Sequence, residues 1–278
     1  MKLFISCDME GISGVSGSDD VDPSKAAYQR FRKIMTGDVN AAIEGATIAG
    51  VDEILVNDSH DGMRNILIEE LDPKARLISG YSKPLSMMQG IDNSFDLAMF
   101  VGYHAMAGTA GAVMNHTFYG RMMDDVWIND KLVSEGGVNA GIAGYFGVPV
   151  GAVSGDDKIM KELTALLGSI ETAVVKEGID RFVANCLPLQ ESRECIKNAA
   201  KRAVERRKEF KPLKYPSPST FKVRFASTTQ AETACILPIV KMVDSRTVSV
   251  TQDDYLDAFR TFHAVISLAS TVQDPIFG

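Results

Sequence analysis

Several patterns that would define a disulfide-rich, membrane or nucleic-acid-binding protein are missing from the sequence. Its four cysteines are scattered without C-x-x-C spacing, which argues against a zinc knuckle or disulfide framework and indicates reduced thiols. No apolar run approaches the ~20 residues that span a bilayer, and the first residues before Asp8 are too few for a signal peptide. Lys and Arg number 29 against 36 Asp and Glu, a net charge of −7 that disfavours a nucleic-acid binder. We therefore expect a soluble, cytoplasmic protein with neither a nucleic-acid nor a membrane partner.

Common catalytic motifs are also missing. There is no G-x-S-x-G, H-E-x-x-H or G-x-x-x-x-G-K-[ST], and the Gly-rich stretch after residue 10 does not open directly into a helix. These absences exclude the usual α/β-hydrolase serine, a helix-based zinc protease and a nucleotide-binding loop. Cys7 is predicted to be buried next to carboxylates that raise its pKa, so a thiolate nucleophile is not expected.

Short apolar runs alternate with helical patterns along the first two thirds of the 278 residues. Strands are predicted near residues 3–7, 53–57, 76–79, 95–102 and 148–153, and helices near 23–49 and 136–146. This alternation predicts an α/β fold with a mostly parallel sheet covered by helices on both faces. The nearly continuous apolar strands agree, because a strand buried on both faces does not alternate.

Two regions depart from that rhythm. Residues 118–133, with the turn-like pair Asn129-Asp130, predict a β-hairpin inserted into the α/β core. After residue 187 the chain has a strongly charged helix over 190–211, a strand over 221–227 and a helix over 253–268. We therefore predict an α/β metal-binding catalytic domain at 1–186 and a smaller C-terminal α+β lobe at 187–278. Glutamates interleave with the basic residues of the charged helix, which favours a solvated face over a nucleic-acid site.

Polar residues with metal-binding chemistry follow the ends of three predicted strands. Asp8 and Glu10 follow the first strand, His60 the second and His104 the fourth, and His116 lies a short loop further on. Ligands of parallel sheets bind beyond the carboxyl ends of the strands, so these groups are expected to converge. The remaining histidine, at position 263, is explained by packing in an amphipathic helix.

Asp8 and Glu10 are expected to project to the same side of the chain, where two carboxylates would repel each other. A divalent cation removes this conflict, and carboxylate oxygen with imidazole nitrogen suits zinc, or manganese as a harder alternative. Two such cations could share one carboxylate and activate a bridging water. Each residue alone could be a helix cap, a turn residue or a core histidine, but together they favour a metal site. Glu135 is a further candidate, or else an acid that stabilises a helix N-terminus.

At these residues the sequence resembles the dinuclear zinc D-aminopeptidases encoded in bacterial dipeptide-transport operons. The resemblance covers nearly the whole chain and is carried by Ser6-Cys7-Asp8-Met9-Glu10-Gly11-Ile12-Ser13-Gly14, Val56-Asn57-Asp58-Ser59-His60, Gly102-Tyr103-His104-Ala105 and Glu135-Gly136-Gly137-Val138-Asn139-Ala140. The resemblance implies that Asp8 bridges two zinc ions, with Mn²⁺ or Co²⁺ as possible substitutes. It implies the remaining ligands Glu10, His60, His104 and Glu135. It also implies that His116 is a catalytic histidine outside the metal shell, and that ten copies form a ring with a shared cavity.

The expected function is therefore a metal-dependent aminopeptidase that hydrolyses the N-terminal bond of short peptides, with D-residues as the implied preference. Three alternatives remain open from the residues themselves. One is a dinuclear phosphoesterase, for which Arg64 and Arg121 are the candidate phosphate clamps. The others are a hydrolase of a related amide and a non-catalytic, metal-stabilised binding protein.

Overall fold

The chain forms two compact units in the computed structural model, which describes residues 1–272. The first unit contains Met1–Ala105, Thr109–Asn115 and Ala143–Leu213. The second contains Met106–Gly108, His116–Ile142 and the described residues from Lys214 onward.

The strands and helices alternate through most of the chain. The strands are β1 (Lys2–Cys7), β2 (Glu53–Asp58), β3 (Ala75–Ile78), β4 (Leu97–Tyr103), β5 (Met123–Ile128), β6 (Lys131–Leu132), β7 (Val150–Asp156), β8 (Glu171–Asp180), β9 (Val183–Cys186), β10 (Ser219–Phe225), β11 (Lys241–Met242) and β12 (Thr247–Gln252). The helices are α1 (Ser18–Val21), α2 (Tyr28–Ile48), α3 (Glu135–Tyr145), α4 (Asp157–Leu167), α5 (Leu189–Glu205), α6 (Thr228–Ala234) and α7 (Tyr255–Ala269). A 3₁₀ turn, Ser86–Met88, lies between β3 and β4.

The first unit is built on a seven-stranded sheet in the order β3-β2-β1-β4-β7-β8-β9. Every neighbouring pair from β3 to β8 is parallel, and only the edge strand β9 is antiparallel. Every residue of β4 and β7 is buried, which explains why these strands read as continuous apolar runs. The predicted α/β fold with a mostly parallel sheet is confirmed.

The strand order reverses direction between β1 and β4, which creates a crevice at the carboxyl ends of these two strands. In doubly wound folds of this order a helix N-terminus often holds a phosphate group there. In this chain a loop of ten residues and the four-residue α1 follow β1, and the long helix α2 begins only at Tyr28. The crevice is therefore lined by a loop that carries carboxylates.

Helices α2, α4 and α5 contact the strands of this sheet, and α2 also packs against α5. Helix α2 begins at Tyr28, five residues later than predicted. It ends before Gly50, whose φ of 91° is a left-handed conformation that favours glycine. The charged helix α5 is shorter than predicted. It buries small and aliphatic residues on one side, and its charged residues form ion pairs within the helix, as in Lys197–Glu194, and with β8, as in Arg202–Glu171.

The second unit contains a five-stranded antiparallel sheet in the order β11-β12-β10-β5-β6. The predicted hairpin is present as β5 and β6, and its turn residues Asn129 and Asp130 have positive φ angles. The hairpin pairs with β10 from the C-terminal region rather than with the parallel sheet. Strands β5 and β10 are paired at five positions. The compact units thus divide the chain differently from the predicted boundary after residue 186, since α5 stays with the first unit.

Within residues 1–272 we find no helix with both the length and the apolar character needed to cross a membrane.

Gly11 is required by a close approach between the loop after β1 and the end of β4. Its N–H donates to the carbonyl of Gly102 over 2.7 Å. A Cβ at residue 11 would lie only 2.0 Å from the carbonyl oxygen of Tyr103. This contact holds the loop over the crevice.

We expect Gly11→Ala to destabilise the protein by about 2 kcal/mol or more, because a side chain forces backbone atoms apart in a packed region. Gly17→Ala is the matched control, since a Cβ there meets nothing within 4 Å. Urea denaturation of the two variants measures the effect. Equal stability of both variants would contradict the proposed close packing.

Candidate metal centre

Three candidate ligands stand at the carboxyl ends of adjacent strands in the first unit. Asp8 directly follows β1, His104 directly follows β4, and His60 lies two residues beyond β2. The backbone pairing continues slightly past the strands, because Asp8 N–H donates to Val101 O and Ser59 N–H donates to Cys7 O, each over 2.8 Å. All three side chains are buried, as is Glu10 on the loop after β1.

The two oxygens of Asp8 face different imidazole rings. Asp8 Oδ1 lies 3.6 Å from His60 Nδ1, and Asp8 Oδ2 lies 3.3 Å from His104 Nε2. His60 Nδ1 is also 2.9 Å from Glu10 Oε2. Asp8 is therefore the central carboxylate, with one imidazole nitrogen on each side.

Backbone carbonyls orient both histidine rings. The nitrogen of His60 that faces away from the carboxylates, Nε2, lies 3.1 Å from Val21 O, and His104 Nδ1 lies 3.1 Å from Ala105 O. Because a carbonyl only accepts, each of these nitrogens carries the hydrogen in the neutral ring. The nitrogens that face Asp8 then present lone pairs, which is the arrangement of histidines that bind a metal.

The charges of the cluster are in conflict without a cation. Burial raises the pKa of Asp8, and repulsion from Glu10 raises it further. Burial disfavours the protonated ring of His60, yet the nearby charge of Glu10 and its contacts with Asp8 hold the pKa of His60 well above its ordinary value. A positive charge among these groups would relieve the repulsion between the two carboxylates.

The spacing of the donors suits zinc. One ligand atom each from Asp8, Glu10 and His60 lie within 4.8 Å of one another. Ligands at ~2.0–2.2 Å from a tetrahedral zinc ion lie about 3.3–3.6 Å apart. The contacts of 2.9 to 3.6 Å between the carboxylates and imidazoles come close to this separation. Asp8, Glu10 and His60 thus fit a zinc ion in both chemistry and spacing, and His104 Nε2 lies beside the other oxygen of Asp8.

A buried lysine holds the loop that carries Glu10. The ammonium group of Lys176 on β8 donates to the carbonyls of Glu10, Ile12 and Val15 over 2.6, 2.9 and 2.7 Å. Burial lowers the pKa of Lys176 to about 8, whereas the nearby acidic groups, Asp156 first among them, favour its charged form. Sequence reasoning missed this residue, although a lysine at the end of the apolar run Ala173-Val174-Val175 is an unusual feature of a buried strand.

A second buried lysine supports the end of β2. Lys83 Nζ donates to Asn57 Oδ1 over 2.9 Å and to the carbonyl of Asp58 over 2.6 Å. The carboxylate of Asp58 accepts from the backbone N–H groups of Asn65 and Ile66 over 2.6 and 2.7 Å. These bonds fix the loop that contains His60. Asn57 and Asp58 belong to one of the stretches that carry the family resemblance, but their contacts could not be read from the sequence.

The other two predicted site residues lie in the second unit. Glu135 opens α3 and is buried, and its Oε1 accepts from the N–H of Phe118 over 2.6 Å. His116 Nε2 lies 3.9 Å from the same oxygen, and 17% of the His116 side chain is exposed. Glu135 and His116 therefore face each other, and the His116 ring is partly exposed.

The remaining sequence predictions fall outside this cluster. Cys7 is fully buried and burial raises its pKa well above the ordinary value, as expected for an unreactive thiol. His263 lies on α7 beside Phe259, in agreement with a packing role. The two arginines considered as phosphate clamps are both exposed, Arg64 in the first unit and Arg121 in the second.

Comparisons with known proteins place this arrangement in a family. The family model described as D-aminopeptidase, Peptidase M55, matches residues 1–264. The D-aminopeptidase of Bacillus subtilis (strain 168) is 39% identical over 270 residues, which is 97% of this chain and 98% of that protein. The solved structure of the zinc-dependent D-aminopeptidase DppA from Bacillus subtilis, described as a self-compartmentalizing protease, superposes with a TM-score of 0.96 at 39% identity. It covers 99% of this chain and 100% of that one. The chain belongs to the D-aminopeptidase family, peptidase family M55.

Proposed function

We propose that this protein is a zinc-dependent D-aminopeptidase that removes N-terminal D-residues from short peptides. The observation that carries the proposal is the buried group of Asp8, Glu10, His60 and His104 at the strand ends of a chain from this family. The D-aminopeptidase of Bacillus subtilis supports the preference for D-residues. Zinc dependence is supported by the chemistry and spacing of Asp8, Glu10 and His60 and by the description of DppA.

The proposed centre would hold two zinc ions, and Asp8 would be a ligand of both. The placement of His60 on one oxygen of Asp8 and His104 on the other supports this role. Glu10 is proposed as a zinc ligand beside His60. Glu135 is proposed as a further ligand because of the resemblance to the family. Manganese or cobalt could replace zinc, because both accept carboxylate and imidazole ligands.

When bound, zinc ions would lower the pKa of a coordinated water toward about 7 and would polarise the scissile carbonyl. The residues of the chain supply the rest of the chemistry. His116 is proposed as the general acid that gives a proton to the leaving amine, a role that its partial exposure permits. The N–H of Phe118 holds the carboxylate of Glu135 in place.

The function is tested by assaying the zinc-loaded protein with a D-dipeptide, its L-enantiomer and p-nitrophenyl phosphate. We expect release of a free amino acid from the D-dipeptide at a rate well above the other two. Phosphate release without peptide hydrolysis would instead establish a phosphoesterase. Bound zinc without turnover of any substrate would establish a binding protein and refute the proposal.

Substitutions at Asp8 and His116 separate metal binding from proton transfer. Asp8→Asn should reduce both zinc content and D-dipeptide hydrolysis by more than about 100-fold, since it removes the charge shared by the two ions. His116→Ala should lower kcat by about 10²–10⁴ while zinc content stays at the wild-type value. Elemental analysis and steady-state kinetics measure both.

The control for charge removal alone is Asp19→Asn, because Asp19 is exposed on the short helix α1. The Asp19→Asn variant should keep the zinc content and the D-dipeptide hydrolysis of wild type. An Asp8→Asn protein with full zinc would contradict the shared-ligand role, and loss of zinc from His116→Ala would move that residue into the metal shell.

We also propose that the chain assembles into a homo-oligomer of ten copies. Support comes from the family resemblance and from DppA, which is described as self-compartmentalizing. Light scattering after size-exclusion chromatography should give about ten times the 30.2 kDa mass of the chain. A monomeric mass would overturn this part of the proposal. The cytoplasmic location expected from the cysteine pattern stays a prediction.

A further inference from the structure

Three buried hydroxyl groups meet beneath the candidate metal centre. Ser6 Oγ lies 2.8 Å from Ser59 Oγ and 2.7 Å from the hydroxyl oxygen of Tyr103. Ser6 is fully buried, and Ser59 and Tyr103 are 5% and 1% exposed. We call these three residues the hydroxyl cluster.

Each member of the hydroxyl cluster is next to a candidate ligand on a different strand. Ser6 lies on β1 two residues before Asp8, whereas Ser59 and Tyr103 directly precede His60 and His104. The regular ladders end at this level, since the last paired residues of β1 are Cys7 with Asp58 on one side and Val101 on the other. The hydroxyl cluster thus adds side-chain hydrogen bonds between the three strand ends, beside the last backbone pairs of the sheet.

One arrangement of hydrogens satisfies Ser6, whereas the single hydrogen of Ser59 Oγ also lies within reach of the carbonyls of Asn57 and Met87, at 3.1 and 3.2 Å. Ser6 Oγ–H donates to the carbonyl of Met87 over 2.7 Å, so both neighbouring hydroxyls donate to Ser6. Ser59 Oγ in turn accepts from Asn57 Nδ2 over 3.0 Å. Ser6 then uses its one hydrogen and both lone pairs, and the bonds polarise one another along the chain of donors.

The 3₁₀ turn Ser86–Met88 anchors this network. The Met87 carbonyl accepts from Ser6 and also from Asn57 Nδ2 over 2.7 Å. Both donors are fully buried, so loss of one hydroxyl leaves polar atoms without a partner and without access to water. The network therefore holds its members in one geometry, because a change of geometry breaks buried hydrogen bonds, which apolar contacts do not require.

We propose that Ser6, Ser59 and Tyr103 are positioning residues that set the zinc affinity by fixing Asp8, His60 and His104 relative to one another. This inference rests on the proposed function in one respect, namely that these three residues bind zinc. Hydrogen-bonding partners behind a metal ligand affect affinity by about 10–100-fold in known sites. The hydroxyl cluster acts at the backbone of three ligands together, so a similar effect is expected.

The test is the zinc dissociation constant of the full-length chain, measured by competition with a chromophoric chelator after removal of bound metal. We compare wild type, Ser6→Ala, Tyr103→Phe and the double variant. Each single substitution should raise the dissociation constant about tenfold. The dissociation constant of the double variant should be little higher than that of the weaker-binding single variant, because both substitutions remove the hydrogen bond between Ser6 and Tyr103.

Ser192→Ala is the matched control, since Ser192 is also fully buried but lies on α5, with no hydrogen bond to its hydroxyl within residues 1–272. It should bind zinc as wild type does. Thermal denaturation of the metal-free variants reports any loss of stability separately. Ser6→Ala and Tyr103→Phe proteins that melt earlier but bind zinc like wild type would reduce the hydroxyl cluster to a structural role.

The two proposals fail in different ways. A wild-type chain that binds no zinc refutes the proposed function and the positioning role with it. A wild-type chain that binds zinc and hydrolyses D-dipeptides, with unchanged affinity in both single variants, refutes only the positioning role.

Discussion

The structure depends on the burial of two carboxylates, Asp8 and Glu10, at the point where its parallel sheet reverses strand order. Buried carboxylates in close proximity destabilise each other unless positive charge lies among them. Here the nearest groups are two imidazoles whose far nitrogens face backbone carbonyls, so in the neutral rings the near nitrogens present lone pairs. A divalent cation would supply positive charge to both carboxylates and accept the lone pairs of both rings.

Much of the surrounding polar structure maintains that arrangement. Lys176 and Lys83 place buried ammonium groups on backbone carbonyls of the two loops that carry Glu10 and His60. Burying an ammonium is costly unless its hydrogen bonds are made, so these lysines tie the loops in one conformation. The close approach of Gly11 to the end of β4 does the same by steric means. The candidate ligands are thus held in place by the fold itself, which would favour tight and selective metal binding.

The candidate ligands of the parallel sheet could be predicted because strand ends are a local property. The apolar runs located the ends of β1, β2 and β4 to within one residue, and these ends position Asp8, His60 and His104. The hairpin was also predictable from its turn, but its partner was not. Pairing of β5 with β10 joins segments about ninety residues apart, and periodicity carries no information at that separation.

The sequence by itself determined which donor atoms are available and which strands they follow, because apolar runs and turn residues act over a few positions. Only the tertiary structure decided that the two oxygens of Asp8 face different imidazoles and that Ser6 joins three strand ends. Those relations depend on the register between β1, β2 and β4 and on side-chain orientation. Both are settled by the packing of distant segments against one another.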